Sequence, residues 1–492
     1  MADSTVADAP QRGFFGQPRG LSTLFFTEMW ERFSYYGMRG ILALYLMTEV
    51  AHGGLGLPEG TATSLVQAYG ASVYLTGVAG GWLADRMLGA RRSVFYGGLL
   101  IMFGHICMAL PGGLTSTTAG IVLIIIGSGF LKPNVSKMVG DLYSEQDRRR
   151  DAGFSVFYMG INLGGFFGPL VAGALQENIG FHWGFGAAAV GMALGLIQYV
   201  LGKNNISSVS QHPSNPLPEE HKGRVVGRVV GIVVLLFLVL GVPVALGLIG
   251  LEGMVNLVSV ISAVLPIVYF AVMLSSRQIT QVERHRLIAY IPLFVATALF
   301  FLLFEQQAST LVLVTENETA HTVLGWEFPV AWFQSINSLA IIILAPLFAA
   351  LWIKMGDRQP STPGKFVGGL VFVGLGFLWV VLSGFLRGSD GKQLALMVAM
   401  VFVILTIGEL MLSPVGLSAS TKLAPAAFSS QTMGLYFLAP AAGQGLGAQV
   451  VKLYSAENEA LYFGVIGLAT VLCGVLLAVS VPWIRKMMHG VP

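Results

Sequence analysis

Apolar residues run in long stretches along this chain, broken at clusters of Gly, Pro and charge. A helix that crosses a bilayer needs about 20 largely apolar residues. The pattern predicts fourteen spanning helices, at 20–51, 58–88, 92–112, 117–142, 150–176, 182–202, 225–250, 254–276, 285–315, 328–354, 365–386, 393–421, 428–456 and 460–485. The longest polar stretch, 203–224, contains Pro213, Pro216 and Pro218 and reads as a linker between bundles. The predicted organisation is a tail (1–19), a six-helix bundle (20–202), that linker, two inserted helices (225–276) and a second six-helix bundle (277–487). The other connections are too short for a soluble catalytic domain.

Composition supports an all-α integral membrane protein. Charged residues are 11% of the 492, against about 25% in ordinary globular chains. Apolar residues reach 54% before the 62 glycines are counted, and the mean hydropathy is +0.73. Small residues let membrane helices approach closely. A formal charge of +3 gives no reason to expect a nucleic-acid partner. Cys107 and Cys473 lie in apolar runs and read as buried thiols, neither disulfide nor metal site. Residues 1–19 mix Asp3, Asp8, Pro10, Arg12 and Pro18 without an apolar core, which suits a cytoplasmic tail and not a cleavable signal.

Lys and Arg alternate with Glu from one connection to the next. One set carries Arg86, Arg91 and Arg92, then Arg148, Arg149 and Arg150, then Lys203, Lys222 and Arg224. It continues with Arg277, Arg284 and Arg286, then Lys354, Arg358 and Lys365, then Lys422, and ends at Arg485 and Lys486. The opposite set holds Glu49, Glu59, Glu177, Glu252, Glu316, Glu318, Glu457 and Glu459, with Arg387 and Lys392 as the basic exceptions. Basic connections are cytoplasmic, so both termini are expected inside a cell's plasma (inner) membrane.

A weak internal repeat accompanies this pattern. Gly81-Trp82-Leu83-Ala84-Asp85-Arg86, trailed by Arg91-Arg92, joins predicted helices 2 and 3; Trp352 to Arg358, also ending Asp-Arg and trailed by Lys365, joins helices 10 and 11. Lys132-Pro133 in helix 4 is matched by Ser413-Pro414 in helix 12. With segments 7 and 8 set aside, these pairs fall at equivalent places in two halves. Two parallel halves with a site between them is a transporter plan. The Asp-Arg loop resembles that of the major facilitator superfamily.

Charges at membrane depth supply the candidate chemistry. Glu28, Arg32, Tyr35, Tyr36 and Arg39 follow the spacing of one helical face, with Glu31 beside them. Such a stripe cannot face lipid, and Glu28 can pair with Arg32 four residues on. Lys132, Glu305 and Glu409 stand in other apolar spans, as do the amides of Asn162, Gln306, Gln307 and Asn337. Salt bridges that merely lock the bundle are the plainer reading, but buried pairs stabilise poorly and intramembrane ionisable groups usually mark pathways. A zwitterionic solute needs a cation at one end of its site and an anion at the other. Arg32, Arg39 and Lys132 are candidate carboxylate binders, and Glu409, in the opposite half, can receive an ammonium.

At these residues the chain resembles the proton-dependent oligopeptide transporters. Glu28-Met29-Trp30-Glu31-Arg32-Phe33-Ser34-Tyr35-Tyr36-Gly37 is similar to that family's helix-1 signature, E-x-x-E-R-F-x-Y-Y-G. Phe154 to Phe166, Leu131-Lys132-Pro133-Asn134, Phe304-Glu305-Gln306-Gln307 and Gly408-Glu409-Leu410 through Ser413-Pro414 resemble further family patterns. Segments 7 and 8 resemble the two-helix insertion of bacterial members. The resemblance implies a major facilitator fold and import of di- and tripeptides with protons, by alternating access. A monomer is expected, with no cofactor beyond the coupling proton. Carried over, Glu28, Glu31 and Arg32 couple protons, and Arg32, Arg39 and Lys132 meet the substrate. Asn162, Asn337 and Glu409 hold the amino end of the peptide. Tyr35, Tyr36, Tyr69, Ser413 and Tyr436 line the site, and Glu305 takes a proton and pairs with Arg39 when charged. Phe301 and Tyr436 stand where many relatives have Trp, and Ser338 replaces the Pro that often follows the helix-10 Asn.

Three rivals remain. The same scaffold carries nitrate or other anions in plant relatives, although Glu409 would repel one. A membrane-embedded enzyme would need a metal or nucleophile set; no His-Glu-x-x-His motif occurs, and His105, His182 and His321 are isolated. A passive channel fits poorly with opposite charges in the two halves.

Overall fold

The structure, a computed structural model, describes residues 13–218 and 250–491 except 145, 146, 148, 324 and 390, and between those stretches only 220, 223, 224, 227 and 231. The predicted helix 225–250 apart from 227, 231 and 250, residues 1–12 of the tail, Arg148 and Lys222 lie outside the described residues. Thirteen helices of at least 20 residues are described. The first six are α1 (Arg19–Met47), α2 (Glu59–Leu83), α3 (Ala90–Ala109), α4 (Gly113–Gly140), α5 (Arg150–Asn178) and α6 (Phe181–Leu201). Then come α7 (Leu251–Ser275), α8 (Gln281–Phe304), α9 (Phe333–Met355), α10 (Thr362–Phe385), α11 (Ala395–Lys422), α12 (Ser429–Val450) and α13 (Glu459–Met487).

Ten spans, α8 with its continuation counted as one, are long and apolar enough to cross a membrane; α1, α2 and α12 fall short. These three carry polar side chains toward the protein interior, Glu31 and Arg39 on α1, Gln67 on α2 and Gln444 on α12, all buried. Lipid cannot satisfy such groups, so these faces of the three helices turn inward.

The packing repeats. In the first half α1 packs on α5 and α6, α3 on α4 and α6, and α2 on α4. In the second, α8 packs on α12 and α13, α10 on α11 and α13, and α9 on α11. Adding six positions to each helix of the first half, with α7 left out, gives the pairs of the second. The halves meet through α2 with α12 and α5 with α9, and α7 lies against both α2 and α12. The two matched loops and the two matched prolines, Pro133 and Pro414, occupy equivalent places in this repeat. Glycines set the close contacts. A Cβ at Gly164 of α5 would stand 2.8 Å from Cβ of Arg32, and one at Gly168 would stand 2.9 Å from the backbone nitrogen of Gly37. Glycines at 164 and 168 therefore let α5 seat on the charged helix.

Three local features differ from expectation. The span predicted as 285–315 breaks: α8 ends at Phe304, and a tight turn, Glu305–Ala308, leads through Ser309 into Thr310–Leu313. Two short antiparallel strands, Thr322–Val323 and Trp326–Glu327, form a hairpin before α9. The linker is neither open nor featureless, since it holds helical turns at Lys203–Asn205 and Ser208–Gln211. Arg387, a basic exception on the acidic face, is paired with Glu318 at 2.8 Å.

Candidate functional site

The α1 stripe forms as the spacing predicts. Arg32 Nε donates to Glu28 Oε1 at 2.7 Å and lies 3.3 Å from Glu31 Oε2. Both carboxylates are sealed, Glu28 at 1% and Glu31 at 0% exposure. Glu28 Oε2 and both Glu31 oxygens have no hydrogen-bond partner among the described residues. Two turns further on, Arg39 forms an ion pair with Glu305 across the halves, both residues buried. The break after α8 places that carboxylate, because Glu305 opens the tight turn.

Between the halves lies a narrow cavity of 210 Å³. From the first half Arg32, Tyr36, Arg39, Tyr158 and Asn162 line it, and from the second Glu305, Gln307, Gln334, Asn337 and Glu409. Asn337 Nδ2 donates to Glu409 Oε2 at 3.0 Å and to Thr406 Oγ1 at 2.9 Å. The Ser338 hydroxyl sits against Gly165 of α5, in the space that a Cβ there would take. Asn162 Nδ2 donates to the Tyr158 carbonyl at 2.9 Å. Arg32 also borders a wide cavity of 2730 Å³, which contains Lys132, Tyr74 and Tyr158 and extends to Asp85, Lys137, Arg149 and Thr421 on the basic face. Lys132 Nζ rests 3.6 Å above the Tyr35 ring.

The two ends differ. Beyond the narrow cavity the halves are joined by Arg39–Glu305, by Gln67 Nε2 to Ser309 Oγ at 2.8 Å, and by Trp332 Nε1 to the Leu170 carbonyl at 3.0 Å. The wide cavity therefore opens toward the basic connections, and the acidic side is shut.

Of the residues predicted to line the site, Arg32, Tyr36, Arg39, Lys132, Asn162, Asn337 and Glu409 border one of the two cavities, and Glu305 does as well. Tyr35, Tyr69, Ser413 and Tyr436 border neither. Tyr35 packs against Tyr36 and Tyr69, with ring centres 5.2 and 6.1 Å away. The Tyr436 hydroxyl donates to the Ser413 carbonyl at 3.2 Å, behind the wall. Phe301 also stands behind, 6.5 Å from Tyr74. Tyr74, Tyr158 and Gln334 line cavities without having been singled out. The i, i+4 spacing of Tyr158 and Asn162 was a usable signal for one of them.

The profile of the POT family matches residues 91–468. The chain is 46% identical to the uncharacterized transporter YclF of Bacillus subtilis (strain 168), over 99% of both chains. It is 42% identical to a di-/tripeptide transporter of Lactococcus lactis subsp. cremoris, over 98% of both. A crystal structure of the peptide transporter POT in complex with sulfate superposes with a TM-score of 0.94 at 49% identity, covering 98% of each chain. A POT family transporter in complex with 5-aminolevulinic acid gives 0.91 at 41% identity, covering 96% of this chain and 98% of that one. The paired halves are the major facilitator fold of these transporters, and the chain belongs to the POT family.

Proposed function

We propose that this multi-pass membrane protein imports di- and tripeptides together with protons, by alternating access of its two halves. One observation carries the reading: Arg32 and Arg39 face Glu409 and Asn337 across a cavity of 210 Å³ between the halves. Cations on one wall and a carboxylate on the other suit a small zwitterion, a peptide with a free amine and a free carboxylate. An arginine fork matches the carboxylate, and Glu409 with Asn337 meets the ammonium. Lys132, on the wall of the wide cavity beside Tyr35, adds attraction for the carboxylate end. The relatives agree: they are peptide transporters, not enzymes.

Proton coupling is assigned to Glu28, Glu31 and Arg32 with Glu305 and Arg39. Two buried carboxylates share one guanidinium at Arg32, so a proton or a second cation must balance the other charge. On the far side, a charged Glu305 attracts Arg39 and a protonated one does not. A proton arriving at Glu305 therefore loosens the shut face, and a peptide carboxylate competes for the freed arginine. Basic connections face the cytoplasm, so this structure is the state open to the inside of the plasma membrane, with both termini there. One proton crossing 100 mV supplies about 2.3 kcal/mol, roughly 50-fold accumulation.

The test is uptake of labelled dialanine into proteoliposomes under an imposed inward pH gradient. Accumulation above the external concentration, abolished by a protonophore, is the expected result. Uptake of nitrate in place of peptide would support the anion reading, which Glu409 disfavours.

A further inference from the structure

A polar seam between α2 and α12 on the shut side lies outside both cavities described above. Gln67, at 0% exposure, donates from Nε2 to Ser309 Oγ at 2.8 Å across the halves, and its own Oε1 has no partner among the described residues. Gln444 of α12 is 1% exposed, and neither its Oε1 nor its Nε2 has a partner there. Its Oε1 would clash with a Cβ at Gly70 of α2, so in this placement it occupies the space that a side chain there would take. A Cβ at Gly447, one turn along α12, would stand 3.3 Å from Gln67 Oε1. Gln67 is about 12 Å from the start of α2, and Gln444 about 9 Å from the end of α12, at 1.5 Å per residue. Both therefore lie toward the shut face. Neither lines the narrow cavity or the wide one.

Helices in a membrane pack well through small and apolar residues alone. A carboxamide sealed without partners raises the energy of the state that seals it. Parting α2 from α12 would hydrate both amides and remove that cost. The seam thus destabilises the shut state selectively, while the Gln67–Ser309 hydrogen bond and the Arg39–Glu305 pair hold it closed.

We propose that Gln444, against Gln67, is a positioning residue for the opening step. Its sealed amide brings the state shut at the acidic face close in energy to the state open there. The inference rests on the alternating-access reading, so its test needs a measurement that does not depend on peptide. Ala448 of α12 is fully buried against Ala68 and Val255 at the same seam. An Ala448→Cys probe, with Cys107 and Cys473 replaced by Ser, reports opening through its labelling by a membrane-impermeant maleimide. Gln444→Leu is expected to slow labelling about tenfold, equivalent to about 1.4 kcal/mol. It should also lower the maximal rate of dialanine uptake, while peptide affinity in detergent stays unchanged. Gln444→Asn, which keeps a sealed amide, should label nearly as fast as the parent. Should Gln444→Leu fail to fold, Gln444→Met, unbranched and apolar, makes the same test. Unchanged labelling in the apolar variants would overturn the proposal. Faster labelling with a lowered melting temperature would overturn it too, since the amide would then be stabilising the shut state. If the parent carries no peptide, the uptake arm indicts the transport reading, and the labelling arm still decides the role of Gln444.

Discussion

Glu28 and Glu31 compete for one guanidinium, and this crowding was visible in the sequence. Spacings of three and four put Glu28, Arg32, Tyr36 and Arg39 on one face, and the structure brings Arg32 within 2.7 and 3.3 Å of the two carboxylates. Glu28→Gln or Glu31→Gln removes one negative charge from this cluster permanently. Each variant is expected to lose pH-driven dipeptide accumulation while still exchanging peptide between equal pools; intact accumulation in both would remove them from coupling. At the other wall, Glu409→Ala deletes the acceptor of Asn337 Nδ2. A hydrogen bond to a charged group contributes about 1.5–3 kcal/mol. Affinity for a free-amine dipeptide should therefore fall on the order of tenfold or more, and for an N-acetylated analogue far less. Competition binding with the two ligands makes the comparison, and equal losses would leave Glu409 a structural role only. The tyrosines were less legible. Tyr69 and Tyr74 both belong to α2, yet Tyr74 lines the wide cavity and Tyr69 packs behind Tyr35. Both faces of α2 are apolar or buried, so no amphipathic stripe fixes its rotation from sequence.

The helices themselves were legible because lipid demands long apolar runs. Where polar residues inside an apolar run have two explanations, the same signal is ambiguous. Glu305-Gln306-Gln307 read as site chemistry within one continuous span, because apolar Leu311-Val312-Leu313 follows, and the structure puts a change of backbone at the same residues. The linker was read from its prolines as a plain tether, but polar side chains dock it. Asp85 Oδ1 accepts from Lys137 Nζ at 2.5 Å and from Ser214 Oγ at 2.7 Å. Arg86 Nη1 donates to Asn215 Oδ1 at 2.9 Å. Sequence shows the Asp-Arg pair but not the serine and asparagine that meet it some 130 residues later. The Asp85–Lys137 pair is partly exposed, and such pairs contribute roughly 0–1 kcal/mol. Asp85→Ala should therefore leave the melting temperature nearly unchanged while trypsin cleavage after Lys203 speeds several-fold. Unaltered cleavage would assign the docking to the backbone bonds from Asn215 to Asp85 and from Leu217 to Arg86.

At the scale of the whole molecule, two halves are joined at one end and parted at the other, and Arg39–Glu305 is the charged link at the joined end. Its residues are about 6–7% exposed at the side chain, so the pair sits in low dielectric, where removal of one partner leaves a buried charge. A static brace and a proton-operated latch both use that geometry, and they part company in Glu305→Gln. As a brace, the carboxylate matters for stability: its loss is expected to cost about 3–5 kcal/mol, and all transport modes should fall together with the folded fraction. As a latch, the glutamine mimics the protonated state, in which the halves separate at the acidic face without waiting for a proton. The variant then stays folded, loses pH-driven accumulation, and retains peptide counterflow, because exchange needs movement of the halves but no net proton transfer. Melting temperature, driven uptake and counterflow, measured on the same proteoliposome preparation, separate the two. The latch predicts a stable protein with counterflow preserved and driven uptake lost. Wild-type driven uptake in Glu305→Gln would mean that neither the charge nor the proton at this position takes part in the cycle.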